Sequence, residues 1–279
     1  MSRQVTQRTA FALLTIAAVI TVAPVVFIIV YTIVLGGGAL SWDFITQFPS
    51  KAGKAGGILP AIVGTFYLML GTLLFALPVG VLAGIYLTEY ARDNWLTRLI
   101  NLAIINLSGV PSIVFGLFGL SMFAMFFNFG LSLLSASLTL AAQALAMVIT
   151  TSREAILAVP KEYRDGSLAM GVTKWQTIKH IVLPQAFPGI ITGAVLAISR
   201  AAGETAPILV VGAAFLMPRL PQSPFDQFMA LPYHLYTVAA HVPNMPKETI
   251  WAVALMLLIV VLSFDILAAV IRIKTRQGK

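Results

Sequence analysis

"FPGIITGAVLAISRAAGETAPILVVGAAFLM", residues 187–217, is an apolar run whose only two charges, Arg200 and Glu204, lie near its middle. A helix that crosses a bilayer needs about 20 consecutive, mainly apolar residues. The run is long enough, yet it carries the two kinds of group that lipid tolerates least. Composition decides between a membrane span and a soluble core. The chain is 59% hydrophobic and 10% charged over 279 residues, whereas soluble domains carry about 25% charged residues. The run is therefore read as a membrane span.

Five more apolar runs accompany it, at 10–35, 58–87, 99–129, 131–151 and 250–271. Together they predict an all-α integral membrane protein with six transmembrane helices. No stretch is polar enough to build a separate soluble domain, so residues 1–279 are expected to form one transmembrane domain. Asn128 and Gly130 are the only turn signal between the third and fourth runs. Arg3 and Arg8 precede the first run as in a signal peptide, but that run far exceeds the ~15 residues of a signal core. It is read as an uncleaved first span.

Charge placement predicts the orientation. With the N-terminus inside, thirteen of the eighteen Lys and Arg fall on inside segments and four on outside ones, Arg200 being the remainder. That is the bias of the positive-inside rule, and it places both termini in the cytoplasm. It also explains the net charge of +8 without nucleic acid, which is not an expected partner. The lipid bilayer is. The absence of cysteine excludes disulfides, thiolate metal sites and cysteine catalysis. No cofactor and no metal is expected. No arrangement of nucleophile, base and orienting group points to an enzyme.

The inside loop, 152–186, carries the densest local signals. Pro160 suits the first turn of a helix, Gly171 suits a left-handed end, and Thr173 with Gln176 suits a capping box. Two short helices along the cytoplasmic surface are predicted, the first exposing Lys161, Glu162, Arg164 and Asp165. Trp175, Ile178 and Val182 share a face of the second, and Pro184 and Pro188 are expected to break the chain before the span. The loop reads as a solvated connector or as a docking element for a cytoplasmic partner. A DNA-reading helix-turn-helix is the weaker reading. The outside loop, 218–249, holds six prolines and is expected to be ordered but irregular.

"DGSLAMGVTKWQTIKHIVLP", 165–184, resembles the cytoplasmic coupling loop of ABC-importer permeases. That loop is a triplet, three spacers, glycine, nine spacers, then Ile-x-Leu-Pro. Here the positions are Asp165, Gly166 and Ser167, then Gly171, then Ile181, Leu183 and Pro184. The triplet departs from the family's Glu-Ala-Ala, and Gly166 should weaken its turn by about 1 kcal/mol relative to alanine. "GVPSIVFGLFG" (109–119) and "SRAAGETAPILVVG" (199–212) are similar to segments of the phosphate-specific transport permeases of the PstA type. The resemblance implies a type I ABC importer permease with cytoplasmic coupling helices in a bacterial inner membrane. Its implied partners are a second, PstC-like permease, a PstB-like ATPase dimer inside and a PstS-like periplasmic phosphate-binding protein outside, the last meeting the proline-rich loop. Homologous permeases move molybdate or sulfate, and a non-transporting membrane sensor is the rival from another class. The chain lacks a G-x-x-x-x-G-K-[ST] phosphate loop, so that mode of ATP hydrolysis would belong to another chain.

Arg200 and Glu204 are four residues apart, hence on one face of a continuous helix and able to pair. Arg200 would lie roughly 20 Å into that helix, where an arginine costs about 2.5–3.5 kcal/mol on insertion scales. Both groups are therefore expected to face the bundle interior or water. One reading is an ion pair that fixes helix register. The other is an oxyanion pathway, with the guanidinium fork matching the anion, Glu204 restraining Arg200 between passages, and Thr205 offering a hydroxyl. The resemblance implies that this Arg and Glu act in transport. Elsewhere, Asp265 is expected to pair with Arg272, Pro78 and Pro111 to kink their spans, and Gly109, Gly116 and Gly119 to permit close helix packing. His234 and His241 match no zinc spacing.

Overall fold

The computed structural model describes residues 3–277. Among them, five helical stretches are long and apolar enough to cross a membrane: Ala10–Ala39, Leu59–Tyr90, Leu133–Leu157, Lys174–Gly203 and Lys247–Leu267. A bent pair, Trp95–Leu107 and Ser112–Phe126, makes a sixth when counted together. The architecture is all-α, and it departs from six straight rods at two places that matter below.

The first span is α1, Arg3–Gly36. Its flanks are exposed along most of their length, as suits a helix facing lipid, and it touches the rest of the molecule mainly through the last span. After α1 the chain makes a short helix α2, Trp42–Thr46, which Ser41 caps by accepting the Phe44 N–H. A two-residue hairpin follows, β1 (Pro49–Ser50) against β2 (Ala55–Gly56). The second span, α3, is Leu59–Ile85 and runs on through a wide π turn, Tyr86–Tyr90. The helices α4 (Trp95–Leu107) and α5 (Ser112–Gly119, extended by a π segment Leu120–Phe126) form the bent pair. The expected single span at 99–129 is thus corrected: the chain turns by 107° between them. Pro111 stands just before α5 with an extended ψ of 139°, so it breaks the span outright. Pro78, by contrast, sits inside α3; neighbouring helices can re-satisfy a backbone group freed by a proline in a membrane helix.

The core is a column between α3, α6 (Leu133–Leu157) and α9 (Leu183–Gly203). Its inner end packs Ile85, Ile156, Ile178 and Val182. Its middle is built from small residues, Ala76, Ala141, Ala144 and Ala197, around Val148. Small residues let helix backbones approach closely where no hydrophobic drive from water exists. Hydroxyls in this column return to their own helix: Thr65, Thr72 and Thr139 each donate to the carbonyl four residues back. That satisfies groups that hydrocarbon cannot.

The inside loop differs from two short surface helices. The first, α7, is Lys161–Ala169, and Gly171 follows it at φ +78°, the left-handed end expected of glycine. Thr173 and Gln176 form the capping box of α8, Lys174–Thr177. This second helix does not stop. It passes through a π segment, Ile178–Val182, straight into α9. Pro184 falls in the first turn of α9 and Pro188 inside it, so neither breaks the chain. Ile178 and Val182 are buried, but Trp175 is exposed and leaves their face. The outside loop is also more regular than expected, since it contains a ten-residue helix α11, Leu231–Ala240, with Pro232 in its first turn. Thr65 on α3 holds that helix's start by accepting the Leu231 N–H. The last span is α12, Lys247–Gln277.

Candidate functional site

The span that opened the sequence reading is broken at its charged centre. Helix α9 ends at Gly203, and Glu204 follows with an extended ψ of 126°. After Thr205 a separate six-residue helix α10, Ala206–Val211, begins, with Pro207 in its first turn. The expectation of one helix through 187–217 is corrected. The physical reason lies in the next residues: Pro207 supplies no N–H to the Gly203 carbonyl that a continuing helix would have to bond, and its ring crowds that carbonyl.

The two charges nevertheless meet. Arg200 Nε donates to Glu204 Oε1 at 3.4 Å. A third residue is closer to that carboxylate. Gln143, from the middle of α6, donates Nε2 to the same oxygen at 2.6 Å. The helix break swings Glu204 toward α6, where its side chain is 17% exposed, while that of Arg200 stays 52% exposed. A long, part-solvated pair of this kind contributes about 0–1 kcal/mol. The other donors of the guanidinium bond to none of the described residues. Beside it lies a cavity of about 200 Å³ lined by Arg200, Gln143, Thr150, Ser108, Met147 and Phe115. Its walls come from α4, α5, α6 and α9, so the break after Leu107 and the break after Gly203 border the same region. Thr205 lies in the break itself, half-buried, and its hydroxyl bonds to none of the described residues. The Oε1 of Gln143 is buried and unpaired.

Gln143 is the functional candidate that sequence reasoning passed over. A signal existed: it is the only amide in the apolar run 131–151, and a polar side chain at that depth is expensive unless it serves a neighbour. Asp265 has a partner that its sequence spacing did not suggest. Its carboxylate accepts a hydrogen bond from Ser199 Oγ on α9, and the Arg272 side chain lies outside the described residues.

At the inner end, the residues of the coupling motif divide. Asp165 and Gly166 are exposed on α7. Ser167 is buried and shares a hydrogen bond of 2.9 Å with Thr177 across the turn that Gly171 makes. Ile181, Leu183 and Pro184 belong to the continuous helix that enters the membrane. Arg164 is not the exposed charge expected of it. It turns inward and pairs with Glu89 at 3.0 Å, with side-chain exposures of 17% and 10%. No sequence spacing announces that pair. Of the glycines, Gly116 and Gly119 do meet other helices closely, at Pro207 and Thr139, whereas Gly109 meets only the nearby Asn106.

In the proline-rich loop, Asp226 accepts the Gln222 and Ser223 N–H groups at 2.9 and 3.1 Å. Those bonds hold its carboxyl below the usual range. His234 is almost fully buried and stacks on Phe215. Burial pushes its pKa down to about 4, against a smaller opposing pull from the Phe215 backbone.

The geometry sits within a known family. Residues 76–277 match the binding-protein-dependent transport system inner membrane component family. The chain is 34% identical over 253 residues to the probable ABC transporter permease protein YqgI of Bacillus subtilis (strain 168), covering 89% of this chain and 86% of that protein. It is 33% identical over 227 residues to the phosphate transport system permease protein PstA 1 of Mycobacterium tuberculosis (strain ATCC 25618 / H37Rv), covering 81% and 73%. In fold it resembles a chain of a solved bacterial alginate ABC transporter in complex with an alginate pentasaccharide-bound periplasmic protein. There the TM-score is 0.69 at 13% identity, over 94% of this chain and 93% of that one. The helical frame of five spans and a bent pair, the match over residues 76–277 and the 34% identity over most of an ABC transporter permease together place this chain in the binding-protein-dependent transport system inner membrane component family, as an ABC importer permease subunit.

Proposed function

We propose that the chain is the permease of an ATP-driven importer of inorganic phosphate, and that Arg200 lines the path of the anion. One observation carries this reading: a half-exposed guanidinium in the last turn of α9, beside a cavity shared with Gln143 of mid-α6, whose carboxylate partner is bonded more closely to Gln143 than to it. An arginine facing lipid at that depth would cost about 2.5–3.5 kcal/mol or more. Its open side must therefore meet water, an anion or another protein chain. A planar fork that keeps its charge at any working pH suits an oxyanion. A partner held at 3.4 Å suits passage, because conduction needs sites weak enough to leave. Thr205, at the break, adds a free hydroxyl.

The partners follow from the same reading. A second permease covers the open side of Arg200, an ATPase dimer docks on the inner loop around Asp165 and Gly166, and a periplasmic phosphate-binding protein meets the outside loop. The charge bias supports a reading with both termini in the cytoplasm of a bacterial cell. Phosphate is favoured over molybdate or sulfate by the phosphate permeases among the relatives. The test is radiolabelled phosphate uptake into vesicles holding the complete complex, with and without internal ATP, against sulfate and molybdate as competitors. Uptake that ATP drives and sulfate leaves unaffected supports the reading. ATP-driven uptake of another oxyanion reassigns the substrate, and no uptake of any anion by an assembled complex supports a sensor instead.

A further inference from the structure

Three helices end on one guanidinium at the inner face. Arg164, on α7, donates Nε and one terminal nitrogen to Glu89 Oε1 at 3.1 and 3.0 Å. The same side chain donates to the carbonyls of Ile156 and Val159 at 2.7 and 2.6 Å. Glu89 lies in the π turn that closes α3. Ile156 is in the last turn of α6, where carbonyls have no intrahelical donor and a cation is welcome. Around this centre, Lys174 at the start of α8 donates to the Glu89 carbonyl and lies 4.9 Å over the Tyr90 ring. A nearly buried ion pair is tolerable only when its remaining donors are satisfied, and here they are.

The consequence is mechanical. Helix α7 cannot shift on the ends of α3 and α6 without stripping several charge-assisted bonds at once. Its outward side, with Tyr163 and Leu168 exposed, is free to be pushed. We infer that Arg164 and Glu89 are positioning residues of the transport cycle, binding α7 and the inner ends of α3 and α6 into one rigid lever. A displacement of α7 by a cytoplasmic ATPase then reaches the α3–α6 core directly, in parallel with the continuous α8–α9 helix. This rests on the importer reading, because a lever needs a stroke.

The chain has no cysteine, so Lys161→Cys at the start of α7 and Tyr86→Cys, both at exposed positions, can carry spin labels without background. The distance between them is measured in the complete complex with and without ATP, in the natural background and with Arg164→Met or Glu89→Gln. ATP hydrolysed per anion imported is measured in parallel. The lever predicts one fixed distance in the parent. It predicts a nucleotide-dependent or broadened distance in either variant, with ATP used per anion rising roughly threefold to thirtyfold. An assembled complex of either variant that keeps both the parent distance and the parent ratio overturns it, as does a parent distance that changes with ATP. Glu89→Gln keeps the shape of the site and serves if Arg164→Met fails to assemble. The distance readout needs no phosphate, so a failure of phosphate uptake in the parent sinks the substrate assignment and leaves the lever to be judged by itself.

Discussion

Among the described residues, two arginine–carboxylate pairs lie inside the helical frame, and they are built to opposite ends. Arg200 and Glu204 are neighbours in sequence, meet at 3.4 Å and leave the guanidinium half in the open. Arg164 and Glu89 are 75 residues apart, meet at 3.0 Å and are almost closed off. The first guanidinium makes one long bond; the second is consumed by a carboxylate and by helix-end carbonyls. Identical chemistry thus yields an available charge in one place and a fastening in the other. What decides is how many competing acceptors the surrounding backbone supplies.

The comparison breaks most sharply at Arg200. Arg200→Ala and Glu204→Ala are each expected to abolish phosphate uptake, a loss of at least roughly tenfold to hundredfold for a charged hydrogen-bond group. Membrane insertion should persist in both, and the midpoint of Arg200→Ala should stay close to the parent, because a half-exposed pair contributes about 0–1 kcal/mol; Glu204→Ala also takes the acceptor of Gln143 and should cost about 1–3 kcal/mol. Uptake assays on membranes with matched permease content check this, and normal uptake would remove Arg200 from the pathway. The reverse profile is expected for Arg164→Met. Leaving Glu89 buried without its partner costs about 3–5 kcal/mol, or about 6–20 °C in midpoint for a chain of this size. A midpoint unchanged in detergent would make the two pairs equivalent and dissolve the contrast.

His234 extends the comparison to a buried ionisable group with no charge opposite it. Its pKa in the folded chain is pushed down to about 4 from 6.5. Between those values the unfolded chain binds a proton that the folded chain refuses. Stability is therefore full above about pH 6.5 and declines as pH falls toward 4, by up to about 3 kcal/mol. His234→Gln should flatten the pH dependence of the midpoint between pH 7 and 5; an equally steep profile would assign it to other groups. The smallest effect is expected at the joint beside Arg164. Thr173→Ala removes the cap of α8 and should cost about 1 kcal/mol. A loss as large as that of Arg164→Met would mean that the joint's rigidity lies in the capped helix rather than in the ion pair.

Much of the frame is legible in the sequence because the bilayer imposes a simple rule on run length and polarity. Local devices are legible too, such as the Thr173–Gln176 box and the left-handed Gly171, since their determinants lie within a few residues. The breaks are harder. Pro111 and Pro207 interrupt spans while Pro78 and Pro188 do not; that outcome depends on whether neighbouring helices can satisfy freed backbone groups, which a single strip of sequence does not state. Gln143 with Glu204, 61 residues apart, and Glu89 with Arg164 are invisible for the same reason: partner choice at this range is a property of packing.

One contact links the two breaks. A Cβ on Gly116 would stand 2.9 Å from the Pro207 Cα and 3.1 Å from the Pro207 carbonyl oxygen. The kinked span therefore presses bare backbone against the start of α10, three residues past the carboxylate. With nothing compressible between them, this surface acts as a stop: the depth at which the acidic turn rests is gauged by a missing side chain on another helix, and one added methyl would reset it.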